Sequence, residues 1–267
     1  MIELPFDPNV HLGPITLAWH GIFTAVGIFF GVALPVRLIR GRVSEDDAYT
    51  VATWGVIGGI VGARVVHVID QLAYYAAHPE QVLAIWTGGI AIWGAAIGGV
   101  IGGFIPAIRR AVPIGFAADA AAAGLSLGFA IGRIGDVING EHHAVSCTSA
   151  AGLCVGYTHP DTLGQAGPVH LVVGYDLVWD LAGVALVLWL RRATAGRWPE
   201  GAVFWIWAIW YALARFFLGF LRIGDPTYGF GLREDQTIAV LVFAAAVTVL
   251  TRLFLEARTH RVTAVSV

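Results

Sequence analysis

The sequence predicts an all-α, polytopic membrane protein: one integral membrane domain over residues 1–267 with seven transmembrane helices, N-terminus outside and C-terminus cytoplasmic. Three observations predict it. The chain is 57% hydrophobic and only 13% charged, whereas a soluble domain carries about a quarter charged residues. Seven apolar runs are long enough to cross a hydrocarbon core of about 30 Å, which takes roughly 20 helical residues. Arginine is distributed unevenly between the alternate links that join those runs.

The runs cover residues 15–36, 49–69, 83–108, 114–134, 171–190, 202–221 and 236–255. The first is too long for a cleaved signal peptide, and no positive charge precedes it. Orientation follows from the links. Arg37, Arg40 and Arg42 follow the first run, Arg109 and Arg110 the third, Arg191, Arg192 and Arg197 the fifth, and Arg258 and Arg261 the last. Segments 1–14, 70–82 and 135–170 hold no arginine; the sixth link, with Arg222 and Arg233, breaks the pattern. The longest link, an insertion at about 135–170, therefore falls outside. It carries Cys147 and Cys154, which in an oxidising setting either close a disulfide or remain two small unpaired residues.

Composition also removes function classes. Disorder, collagen-like repeats and small disulfide scaffolds do not fit these figures. A net charge of −2 lacks the basic footprint of a nucleic-acid binder. All 16 basic residues are arginine, so Schiff-base chemistry and a P-loop lysine are excluded. The glycines of the third run (Gly88, Gly89, Gly94, Gly98, Gly99, Gly102, Gly103) and Gly58 with Gly62 in the second read as close helix packing in lipid.

Arg64, Arg133 and Arg215 lie within or at the ends of runs. Each costs about 2.5–3.5 kcal/mol at a bilayer centre, so each is either functional or held in an interhelical ion pair with Asp119, Asp176 or Asp180. Arg215, Gly219 and Arg222 fall at i, i+4 and i+7 on one helical face. The two guanidinium groups are then about 10 Å apart along the axis, a cradle for an anionic head group. In segment 128–141, GFAIGRIGDVINGE, apolar helix gives way to Arg133, Asp136, Asn139 and Glu141, with Gly135 and Gly140 allowing tight backbone. Either this is a site for a charged group beside lipid, or a capped helix end.

The stretch Gly132-Arg133-Ile134-Gly135-Asp136-Val137-Ile138-Asn139-Gly140-Glu141 resembles the signature of the prolipoprotein diacylglyceryl transferase family, G-R-x-G-N-F-x-N-x-E. Gly62-Ala63-Arg64 resembles the family's G-A-R, and residues 88–94 its glycine-rich third span. Asp119 resembles its fourth-span aspartate, and Arg215-Phe216-Phe217 with Arg222 its R-F-x-x-E-x-x-R run. The resemblance covers about residues 15–255. It implies transfer of the diacylglyceryl group of phosphatidylglycerol to the lipobox cysteine thiol of an exported prolipoprotein, through its signal peptide, at the bacterial cytoplasmic membrane. Glycerol phosphate leaves, and no metal or dissociable cofactor is implied.

Several positions depart from the family pattern. Its motif asparagine is Asp136, the tyrosine of W-Y-G is His20 in Trp19-His20-Gly21, and its sixth-span glutamate is Gly219. A third-span position that is histidine in some members is Trp93, and the H-P-x-x-L-Y-E run reads His170-Leu171-Val172-Val173-Gly174-Tyr175-Asp176. The expected catalytic residues are Arg133 and Arg215 as phosphate and leaving-group stabilisers, Glu141, and His20 as base for the thiol, unless His20 only hydrogen-bonds inside the bundle. Arg64, Asp136, Asn139, Gly140 and Arg222 are expected to bind substrate. The carboxylate of Asp136 would repel a phosphate unless Arg133 or Arg64 neutralises it. The alternatives are a catalytically altered paralogue that binds anionic phospholipid or serves another acceptor, and a lipid or anion transporter. Against transport, no second copy of the 128–141 pattern exists. A seven-helix receptor has only the span count in its favour.

Overall fold

The computed structural model describes residues 1–84, 89, 91–148, 152–224 and 226–265, with side chains as far as 259. The elements in chain order are strands β1 (Ile2–Leu4), β2 (Asn9–Leu12) and β3 (Ile15–Ala18), then helices α1 (Trp19–Ile39), α2 (Glu45–Asp70), α3 (Leu72–Ala77), α4 (Ile92–Arg109) and α5 (Ile114–Asn139). Strands β4 (Cys154–Tyr157) and β5 (Val169–His170) follow, then helices α6 (Val172–Ala193), α7 (Ala202–Gly219) and α8 (Glu234–Val265). Among the described residues seven helices, all but α3, are long and apolar enough to cross a membrane.

The span boundaries differ from the sequence expectation for physical reasons. Residues Ile15–Ala18 pair with Asn9–Leu12 as an antiparallel hairpin turned at Gly13, so α1 starts at Trp19. The third helix begins only at Ile92, because Gly89 takes a left-handed φ of 77° that no helix accepts; residues 85–88 and 90 of the predicted span lie outside the described residues. Helix α5 runs past 134 to Asn139 because Asp136 finds ionic partners and can stay helical.

The chain forms two compact units, residues 36–117 and residues 1–35 with 118–267. In the first, α2 and α4 meet along glycines. A Cβ at Gly58 would overlap the Gly98 carbonyl, and one at Gly62 the Gly94 carbonyl. Without a hydrophobic drive between helices in lipid, such backbone contact supplies the packing energy. Ser44 caps α2, its Oγ accepting from the Asp47 amide at 3.1 Å, and Glu45, Asp46 and Asp47 sit favourably in the positive first turn. Arg64 is 5% exposed. Its guanidinium donates to the carbonyls of Val82, Gly89 and Gln81 at 2.8, 2.7 and 2.5 Å and lies over the Tyr75 ring.

In the second unit α1 packs on α5 through Gly27 and Gly31 against Gly124 and Gly128. Helices α6 and α7 cross at Trp179 and Trp210, stacked at 4.2 Å, each indole donating to the other's backbone carbonyl. Asp119 caps α7 from a distance, accepting from the amides of Gly201 and Phe204 at 3.0 and 2.8 Å. Beyond α5 the chain supplies β4 and β5, which join the N-terminal β1 in a three-stranded sheet, order β1-β4-β5, with β1 parallel to β4. Cys147 and Cys154 form a disulfide there, with Cα atoms 5.4 Å apart. Tyr157 ties this layer to the end of α5 by donating to the Val137 carbonyl at 3.0 Å. Burial, reinforced by the charge of Asp136, pushes its phenol up to about 12, so it stays a donor.

Candidate active site

The site grows from the close approach of α1 to α5. A Cβ at Gly135 would lie 2.8 Å from His20 Cα and 2.9 Å from the Trp19 carbonyl, so only glycine lets the start of α1 come this near. That approach sets His20 Nδ1 2.5 Å from Asp136 Oδ1. The other oxygen of Asp136 accepts from Arg133 Nη1 at 2.7 Å, one turn away on α5. Arg133 therefore supplies the neutralisation that an aspartate beside a phosphate requires.

Asp176, near the start of α6, is the second anchor. One oxygen, Oδ2, binds Arg222 Nη2 directly and lies 3.8 Å from Arg133 Nε and 3.9 Å from Arg215 Nη1. This corrects the single-face cradle of Arg215 and Arg222. Helix α7 ends at Gly219, and the chain then folds back. Ala144 and Arg222 form an isolated antiparallel bridge, with Val145 donating to Leu221 and Ile223 to His143. That pairing draws Arg222 in until both arginines meet on one aspartate oxygen. Three guanidinium groups then face Asp136 and Asp176, with the buried carboxyl of Asp180 further along α6 acting on Arg133 and Arg215 as well.

Arg215 is the least engaged of the three. Its Nε donates to Tyr211 Oη at 2.9 Å, and its guanidinium lies over the same ring. Among the described residues neither terminal nitrogen has a hydrogen-bond acceptor within reach, the nearest carboxylate oxygen being the one at 3.9 Å. Such a fork is suited to a phosphate or carboxylate.

The turn after α5 adds further groups. Asn139 is 4% exposed and its Oδ1 is a buried acceptor with no hydrogen-bond partner among the described residues. Its backbone carbonyl is held by Leu163 N and Thr162 Oγ1 at 3.0 and 3.2 Å. Gly140 has φ 79° and packs against Gly164, where a Cβ would not fit. The amide of Glu141 donates to the Asp136 carbonyl at 3.0 Å, while its side chain makes no hydrogen bond or ion pair among the described residues. Beside Trp19 and Ile138 an open recess of about 470 Å³ is also lined by Phe6, Asp7, Asn9 and Val10.

The structure therefore brings together His20, Arg133, Asp136, Arg215 and Arg222, with Asn139, Gly140 and Glu141 in the turn that follows α5. Arg64 belongs to the other unit and holds the carbonyls already described. Sequence reasoning missed two residues. Tyr211 sits at i−4 from Arg215, a spacing that could have flagged it. His142 gave no signal, because its role depends on a left-handed backbone, φ 64°. Its Nε2 lies 3.3 Å from Arg133 Nη1. Arginine only donates, so Nε2 must carry a lone pair and the imidazole is neutral. Desolvation, with repulsion from Arg222 and Arg133, pushes it down to about 4.

Comparison with known proteins identifies the family. The family model for prolipoprotein diacylglyceryl transferase matches residues 9–252. The chain is 35% identical over 254 residues to the phosphatidylglycerol–prolipoprotein diacylglyceryl transferase of Nostoc sp. strain PCC 7120, covering 93% of this chain and 89% of that one. It is 35% identical over 261 residues to the Bacillus licheniformis protein of the same name, covering 94% of each. The Trichormus variabilis protein, also of that name, is 36% identical over 236 residues, covering 86% of this chain and 83% of its own. With matches spanning the arginine-bearing helices and the turn after α5 alike, the chain belongs to the prolipoprotein diacylglyceryl transferase family.

Proposed function

We propose that this multi-pass protein of the bacterial plasma membrane transfers the diacylglyceryl group of phosphatidylglycerol to the lipobox cysteine thiol of an exported prolipoprotein, releasing glycerol phosphate. The names of its relatives supply the reaction class and both substrates. The observation that carries the reading is the meeting of Arg133, Arg215 and Arg222 on Asp176, with no hydrogen-bond acceptor for the terminal nitrogens of Arg215 among the described residues. A phosphodiester monoanion suits a fork of three clustered guanidinium groups. As the bond from glyceryl carbon to phosphate oxygen breaks, charge grows on the phosphate, and arginine donors already in place stabilise it without reorganising. The orphan acceptor Asn139 Oδ1 suits a glycerol hydroxyl of the head group, with Glu141 and Gly140 beside it.

In this reading the site faces outward, N-terminus outside and C-terminus cytoplasmic, as the arginine counts suggest. The Cys147–Cys154 disulfide in the 135–170 link supports that orientation, since disulfides persist in oxidising compartments.

The test is transfer by purified protein in detergent with phosphatidylglycerol and a lipobox peptide, read by mass spectrometry. A gain of one diacylglyceryl group is expected. Arg215→Ala is expected to lose about 100-fold or more in kcat, the scale of removing one preorganised donor to a developing oxyanion. No product, with phosphatidylglycerol still bound, would sink the transfer reading and leave a lipid-binding paralogue.

A further inference from the structure

Both oxygens of Asp136 are occupied by protein, Oδ1 by His20 and Oδ2 by Arg133. A carboxylate only accepts hydrogen bonds, so the proton between the two residues sits on His20 Nδ1. The lone pair of the neutral ring is then on Nε2. Nε2 has no hydrogen-bond partner among the described residues. Exposure divides the pair in the same sense: the Asp136 side chain is 6% exposed and that of His20 45%. The buried acid thus holds an imidazole that is itself nearly half exposed. The charged groups that bear on His20 are Asp136 and Arg133 from α5 and Glu141 from the turn after it.

We infer that Asp136 is a positioning residue that fixes His20 as the general base for the acceptor thiol, and that Asp136 does not contact the phospholipid head group. The inference rests on the transfer reaction proposed above. The S–H proton passes to His20 Nε2 while the sulfur attacks the glyceryl carbon that carries the phosphate. The C–O bond breaks, its electron pair stays on the phosphate oxygen, and the proton on His20 goes on to the released glycerol phosphate. Hydrogen bonding of Asp136 to Nδ1–H selects the required tautomer and stabilises the imidazolium formed during the step.

A free thiol of pKa near 8.5 is only about 3% ionised at pH 7, so a base has roughly a 30-fold advantage to supply there and little at pH 9.5. The experiment measures transfer at both pH values, over a range of phosphatidylglycerol concentrations, for the wild-type protein, His20→Gln and Asp136→Asn. Thermal melting in detergent confirms that both variants fold. Both are expected to lose about 10- to 30-fold in kcat at pH 7, to come within about threefold of wild type at pH 9.5, and to keep KM for phosphatidylglycerol within about twofold. A loss equal at the two pH values overturns the base assignment, as do unchanged rates. A raised KM with kcat intact in Asp136→Asn returns that residue to the head group. Wild-type protein that forms no thioether fails the transfer reading itself, and this inference with it.

Discussion

The backbone of His20 passes Gly135 so closely that a Cβ on the glycine would lie 2.8 Å from His20 Cα. Real Cβ atoms do not come that near a backbone carbon, so an alanine there must push the first turn of α1 away from α5. The hydrogen bond from His20 to Asp136 spans 116 residues of sequence and depends on that contact. Gly135→Ala is therefore expected to lower transfer at least tenfold while the helices persist, seen as activity lost without loss of far-ultraviolet circular dichroism. Gly132→Ala on the same helix meets nothing within 4 Å and is the control. It is expected to keep activity and to gain up to about 1 kcal/mol from helix propensity. Equal behaviour of the two variants would show that the approach of α1 is not what builds the site.

Asp176 holds three arginines with one buried oxygen, and removing its charge leaves them to repel one another. Breaking a buried ion pair costs about 3–5 kcal/mol when the partner charge stays behind. Asp176→Asn is expected to lower the melting temperature in detergent accordingly. Net positive charge at the cluster rises by one, so an anionic phospholipid should rescue the variant more than it stabilises the wild type. The check is melting in phosphatidylglycerol against phosphatidylcholine micelles. An equal shift with both lipids would show that the cluster is structural and does not bind the phosphate.

Much of this architecture is legible in the sequence because the bilayer imposes a simple rule, and apolar runs of about 20 residues obey it. The glycine seam between α2 and α4 and the Arg133–Asp136 pair are also legible, since each follows from helical spacing within a span. Long-range relationships are not. His20 and Asp136 look like two separate departures from a family motif, and only the approach at Gly135 makes them one hydrogen-bonded unit. Arg222 looks like a partner of Arg215 on one helix face, because helical spacing cannot reveal that α7 stops at Gly219 and the chain pairs back with Ala144. Residues 15–18 read as the start of a span, since a short apolar strand and a helix start share the same composition. Asp176 appears in the sequence as one of three candidate ion-pair partners and as the end of the run 170–176; its place as the common anchor is a product of tertiary packing.

His142 gives the protein a pH dependence of definite sign. Desolvation and the charges of Arg222 and Arg133 disfavour the protonated ring and push its imidazole down from the ordinary 6.5 to about 4. Below about pH 6.5 the unfolded chain takes up a proton at this position while the folded chain does not. Stability is therefore full above that pH, falls as pH drops from 6.5 towards 4, and levels off below. Removing the imidazole should flatten this dependence. His142→Asn is the variant to use, since asparagine tolerates a φ of 64° and offers Arg133 a carbonyl acceptor in place of Nε2. Melting temperatures of the two proteins are expected to run together at pH 7.5 and to diverge at pH 4.5, the wild type falling further. Parallel curves across the range would mean that His142 takes up its proton in the folded protein as readily as in the unfolded chain, and that Arg133 does not donate to it.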